Sequence, residues 1–239
     1  LQNIFQNKFW NEVVDSWTKK IDNGRIFECA LTCGQKLTKV WDQNKKMKDT
    51  YRYYITGNNR GLGLAIAEYF EAYDGCNRSK GLDITKEEDV QQIAYESLHY
   101  DVFINNAFDG PPDEPWGNFG QVNLLMEVFK KWKFHNKAGY IFNIGSAGID
   151  GTYTVPKAAL KKASEQCSKA FKNNLVNFKT TLITPSRLDT PLSRSRDTWT
   201  GNGIDCVDIA KFIEYAVSIK NNSIIEDIII GVNMEYGNE

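Results

Sequence analysis

The chain has 239 residues, 41% of them hydrophobic and 25% charged, and a formal net charge of −1. That length suits one sizeable domain with an appendage, and the composition is ordinary for a globular protein. The near-zero charge excludes a global basic field for nucleic acid, and no apolar run reaches the ~18 residues that span a bilayer, so neither is an expected partner.

The first residues are polar and aromatic, without the basic and apolar regions of a secretory leader. Cys29, Cys33, Cys76, Cys167 and Cys206 are scattered and odd in number. They read as free thiols in a reducing, cytoplasmic compartment rather than as a disulfide framework. Cys29 and Cys33 lie at helical spacing, but with only His99 and His135 in the chain no metal site is expected.

Residues 1–50 read as a helical N-terminal extension. Trp10, Val13, Val14, Trp17 and Ile21 recur at helical spacing, and Asp22-Asn23-Gly24-Arg25 is a turn signal. A second helical pattern carries Phe27, Leu31, Leu37 and Trp41. The expected hairpin packs its aromatic stripe on the rest of the chain or on a sister subunit, with a substrate lid or docking element as the alternatives.

Residues 51–239 read as one Rossmann-like α/β domain. The strand YRYYITG leads through a glycine turn to the helix LGLAIAEYF. Then come strand YDGCN, helix EEDVQQIAYESL, strand DVFINNA, helix VNLLMEVFKKW and strand YIFNIGS. Helix KAALKKASEQCSKAF, strand LVNFKTTLITP, helix DCVDIAKFIEYAVSI and strand EDIIIGV complete the pattern. Such alternation implies parallel pairing with right-handed crossovers. The expected α/β fold is a doubly wound parallel sheet of about seven strands between two helical layers, with its ligand crevice at the strands' carboxyl ends.

The first turn reads Thr56-Gly57-Asn58-Asn59-Arg60-Gly61-Leu62-Gly63. Gly57 allows a tight turn, Gly61 lets the backbone approach a pyrophosphate, and Gly63 permits close helix–strand packing. The helix beyond offers free N–H groups to phosphates. The ribose 2′-position is read at the end of the second strand, where Arg78 stands in place of a carboxylate. A guanidinium there suits a 2′-phosphate, so NADP(H) is favoured over NAD(H).

The stretch TGNNRGLG resembles the TGxxxGxG turn of the short-chain dehydrogenase/reductase family. Further resemblances follow in the family's order over about residues 51–231: Asn105-Asn106-Ala107, Asn123 in VNL, Ser146, the YxxxK pair Tyr153 and Lys157, and PSRLDTPL at Pro185–Leu192. The resemblance implies cofactor contacts at Gly57, Asn59, Arg60, Gly61, Leu62, Gly63, Arg78, Asp83, Ile84, Asn105, Asn106, Ala107, Tyr153, Lys157, Pro185, Leu188 and Thr190. Arg60 would be a second basic position for the 2′-phosphate, and Asp83 would lie beside the adenine; as a bare feature Asp83 reads equally as a helix N-cap. A homodimer or homotetramer through the helices of Asn123 and Tyr153 is also implied.

Tyr153 and Lys157 lie four residues apart and share a helix face. A nearby ammonium lowers a tyrosine's pKa from about 10, readying it to exchange a proton with a carbonyl oxygen. By resemblance Lys157 also holds the nicotinamide ribose, Ser146 fixes the substrate oxygen, and Asn123 holds a water that relays protons. Pro156 fits the first turn of a helix starting near Tyr153–Val155.

Departures from the family pattern are visible. Ser146 and Tyr153 lie only seven positions apart where family members have a longer loop, Phe108 follows NNA where a glycine is usual, Ser186 replaces the glycine of Pro-Gly, and the lid segment from Ser193 to Ile204 is short. SKGLDIT leaves no room for a full crossover helix. The expected activity is an NADP(H)-dependent reduction of a carbonyl, or oxidation of a secondary alcohol, on a small-molecule substrate. The alternative is a nicotinamide-binding regulatory or interaction protein on the same fold.

Overall fold

The computed structural model describes residues 51–108, 119–147, 154–195, 199, 201–219 and 223–231. The expected extension over 1–50 lies outside them. Strand and helix alternate: β1 (Tyr53–Ile55), α1 (Gly61–Phe70), α2 (Glu87–Glu96), β2 (Val102–Asn105), α3 (Gly120–Phe134), β3 (Ala138–Ile144), α4 (Thr154–Lys172), β4 (Asn177–Pro185), α5 (Pro191–Arg194), α6 (Cys206–Ser218) and β5 (Asp227–Ile230).

Local chemistry sets several of these boundaries. Glu87, Glu88 and Asp89 place negative charge at the positive end of α2. The Asp205 carboxylate caps α6 by accepting from the Val207 N–H at 2.9 Å. β2 is buried along its whole length, and β3 and β4 along most of theirs, because helices cover both faces of the sheet.

All strand pairs are parallel, in the order β1-β2-β3-β4-β5. On the far side of β1, residues 74–76 run alongside it. The Ile55 N–H donates to Asp74 O at 3.1 Å and the Gly57 N–H to Cys76 O at 2.7 Å. The chain thus steps outward from β1, then returns past it to β2, which is the doubly wound arrangement. Five strands form among the described residues, fewer than expected. After Cys76 a 3-10 turn at Arg78–Lys80 occupies the connection to α2. What remains is shorter than the ~10–12 residues a helical crossover to another strand needs.

One face of the sheet is covered by α1 and α6, whose Ile66, Phe70, Ile209 and Ile213 pack with Ile55, Ile104 and Phe142. The other is covered by α2, α3 and α4 over Tyr54, Phe103, Ile141 and Phe178. Steps into β2, β3 and β4 cross this second face, whereas the step into β5 continues in the same direction over the first. The last crossover therefore has the opposite hand to those before it, a correction to the uniformly right-handed expectation. The reason lies in burial: Phe142, Ile144 and Ile183 face the α1 side, and α6 supplies their cover. No helix among the described residues is long and apolar enough to cross a membrane.

Trp132 anchors the second face. It is fully buried, its ring meets Phe178 edge-on at 5.5 Å, and its indole N–H donates to Ser97 Oγ at 2.9 Å. Ser97→Ala would leave that N–H buried without a partner, at a cost of about 1–3 kcal/mol. Urea denaturation should show a lowered midpoint with an unchanged slope.

Candidate cofactor and proton-transfer site

The site is assembled where β1, β2 and β3 end. Gly57 and Gly61 both adopt the left-handed region, with φ of 70° and 54°. A Cβ on Gly63 would lie 2.1 Å from Gly57 O, so α1 can start this close to β1 only with glycine there. Thr56 and Asn106 brace the turn. The Thr56 hydroxyl accepts from the N–H groups of Asn106 (2.9 Å) and Ala107 (2.8 Å). The Asn106 carboxamide donates to Thr56 O at 3.0 Å and to Gly57 O at 3.4 Å.

The N-terminus of α1 has no side-chain cap. Its N-cap is Arg60, which makes no capping bond, and its first turn carries no acidic residue. The first N–H groups of a helix have no intrahelical partner, so they and the helix dipole remain available to an anion. Leu62 is turned into the core and Ile84 likewise, so their side chains pack the site from behind. Asn59 and Arg60 are exposed. Thr190 closes the other side: its methyl group lies 3.7 Å from where a Gly61 Cβ would be, and its hydroxyl caps α5 by accepting from Ser193 N–H at 3.1 Å. Pro185 ends β4, and Leu188 forms an isolated parallel bridge with Ile204.

The outer edge is tied to the same turn. Asn77 donates from Nδ2 to Asn58 Oδ1 at 2.7 Å, and Asn58 in turn donates to Tyr73 O at 3.0 Å. The Asn77 side chain also accepts from Lys80 N–H at 3.1 Å, which holds the turn that presents Arg78. Arg78 Nε lies 3.3 Å from Asp83 Oδ2. The Asp83 carboxyl is held below its ordinary range by the Thr85 N–H at 3.0 Å, with Arg78 adding to it. Asp83 is not the cap of α2, whose N-cap residue is Lys86. These buried asparagines have no signature of their own in the sequence; Asn58 sits at a variable position of the glycine motif.

α4 begins at Thr154, within the expected range, and Pro156 falls in its first turn. Tyr153 itself lies outside the described residues. Ser146 sits on an extension of β3, between Gly145, whose N–H donates to Ile183 O, and Ala147, whose N–H donates to Pro185 O. Lys157 turns its ammonium inward, donating to Gln121 Oε1 at 2.7 Å and to Ile144 O at 2.9 Å. The Phe108 ring lies over it at 4.5 Å. Burial pushes the Lys157 pKa down to about 7, while the two acceptors and the ring face oppose that shift. Asn105 is buried in β2 and donates to Gln121 O and Asn143 Oδ1, both at 2.9 Å. Asn123 is exposed on α3 and is not drawn into this group. Gln121, which no motif in the sequence marks, is.

A parallel sheet with helices on both faces and a glycine turn at its first crossover defines the dinucleotide-binding class of α/β proteins. Short-chain dehydrogenases/reductases are among the solved structures it resembles. A short-chain dehydrogenase from Burkholderia cenocepacia in complex with NADP matches with a TM-score of 0.61 and 19% identity, over 76% of this chain and 88% of that one. A 3-ketoacyl-(acyl-carrier-protein) reductase from Brucella melitensis complexed with NADH matches with a TM-score of 0.60 and 18% identity, over 78% and 98%. In sequence, the chain is 28% identical over 165 residues to chlorophyll(ide) b reductase NOL of Arabidopsis thaliana. That match covers 51% of this chain, which spans 47% of the relative's length. No family model matches. The described chain has the short-chain dehydrogenase/reductase fold, as the motifs in its sequence indicated.

Gly63→Ala should destabilise the protein by about 1–3 kcal/mol through overpacking, read by thermal or urea unfolding. Lys157 gives a pH signature. Its native pKa lies below its unfolded value of about 10.4, so between about pH 7 and 10 the unfolded state binds more protons and stability rises with pH. Lys157→Met should remove that part of the rise, seen by comparing unfolding free energies of the two proteins across this window.

Proposed function

We propose that the protein is an NADP(H)-dependent oxidoreductase that reduces a carbonyl group, or oxidises the matching secondary alcohol, on a small molecule. The observation that carries this reading is the uncapped N-terminus of α1 behind a braced glycine turn, linked through Asn106, Asn105 and Gln121 to the inward-facing Lys157.

The residues present fit a nicotinamide dinucleotide. The backbone from Gly57 to Gly63 would hold the pyrophosphate, and Thr190 would border it across Gly61. Arg60 and Arg78, both exposed beside the turn, support the phosphorylated form of the cofactor. When bound, that cofactor supplies or takes up the hydride. Tyr153 gives its proton to the substrate oxygen, and Ser146 hydrogen-bonds that oxygen and fixes its place. Lys157 holds the ribose hydroxyls and, by its charge, lowers the pKa of Tyr153. Self-association through α3 belongs to the same proposal, supported by Met126 and Phe134, which are 40% and 84% exposed on that helix.

NADPH oxidation with a panel of ketones and aldehydes tests the reading. Tyr153→Phe should lower turnover by about 10²–10⁴-fold while sparing NADPH affinity. Arg78→Asp should shift preference from NADPH towards NADH. Retained NADPH binding without turnover on any carbonyl would instead favour the regulatory reading, and full activity in Tyr153→Phe would refute the proton-transfer role.

A further inference from the structure

We infer that Gln121, and not Asn123, is the residue of α3 that positions Lys157, by a direct hydrogen bond. The inference rests on the reading of Lys157 as part of the proton-transfer group. Gln121 is 4% exposed, and every polar atom of its carboxamide is engaged. Nε2 donates to Asn105 O at 2.7 Å and to Ile144 O at 3.1 Å, and Oε1 accepts from Lys157 Nζ at 2.7 Å.

This arrangement fixes the orientation of the amide. A flipped carboxamide would set its oxygen against two carbonyl oxygens and its NH₂ against an ammonium, so only one of the two orientations is satisfied. Gln121 therefore transmits the position of the β2 and β3 carboxyl ends to the lysine. Ile144 O shares that role, bonding both Gln121 Nε2 and Lys157 Nζ. Phe108 covers the ammonium from a third side.

Asn123 does not share this site. Two residues along a helix are about 200° of rotation, so positions 121 and 123 point to nearly opposite sides of α3. The first faces the sheet and the second faces out. Among the described residues, the groups around Lys157 from β2, β3 and α3 are neutral, and burial alone is the cause of its lowered pKa. A neutral acceptor 2.7 Å away is then a main local support for the charged form.

The experiment is a pH titration of the full chain labelled with ¹³C-lysine, following the Lys157 ¹³Cε signal, assigned by its loss in Lys157→Arg. In Gln121→Met the midpoint should fall below that of the unsubstituted protein, and in Asn123→Ala it should not move. An unmoved midpoint in folded Gln121→Met, or a shift in Asn123→Ala, overturns the inference. Should Gln121→Met not fold, the unsubstituted protein still decides. The Gln121 side-chain amide signals should titrate with the Lys157 midpoint and those of Asn123 should not; the reverse overturns the inference. Activity is read separately. NADPH oxidation absent from the unsubstituted protein would count against the proposed reaction, while the titration alone judges the lysine seat.

Discussion

The hydroxyl of Thr56 holds the working end of this fold together. It is fully buried, accepts from two successive N–H groups after β2, and donates to Ile104 O at 3.3 Å. Parallel strands that end side by side leave backbone groups without ladder partners, and buried groups of that kind must be paired. Thr56 pairs them with a single atom. The same bonds fix where Asn106 points, and Asn106 fixes the glycine turn. The glycine turn proposed to hold the pyrophosphate depends on this one local closure.

Two different electrostatic devices sit on that closure. The glycine turn presents backbone N–H groups and the positive end of a helix dipole, a setting that suits an anion without any charged side chain. The lysine seat does the opposite, supporting the ammonium form of Lys157 against burial with neutral acceptors and a ring face. Between them lies a polar patch of Asn105 and Asn143, where Asn105 Oδ1 and Asn143 Nδ2 are buried without a partner among the described residues. Unpaired groups like these cost stability, and such costs concentrate where a structure serves a function rather than its own packing.

Much of this was legible in the sequence. The alternation of apolar strands and amphipathic helices located most elements of the described domain, because β1 to β4 are largely buried and the long helices each turn an apolar face to the sheet. The glycines of the turn could be assigned roles because backbone conformation and close approach depend on residue type alone. Strand count and crossover hand were not legible in the same way. The first depended on how much chain a 3-10 turn at Arg78 consumes, and the second on which face needed cover from α6. Gln121 was hidden for a similar reason. A glutamine on a helix reads as a surface residue until the neighbouring carbonyls of Asn105 and Ile144 are seen to face it, and those come from two other strands.

The change of face at the last crossover also bears on how the chain acquires its structure. The core beneath α2, α3 and α4 draws on residues that follow one another along the middle of the sequence. The core beneath α1 joins the first strand and helix to residues 204–217. Tyr69 and Glu214, which share a 2.6 Å hydrogen bond across it, are 145 positions apart. Closing such a loop carries an entropic cost that contacts made later must repay, so long-range halves of a fold form slowly. During synthesis, α1 emerges before α6, and the contacts between the two helices form only once α6 has been made. The half of the protein that carries the glycine turn is thus the half that must wait for the far end of the chain.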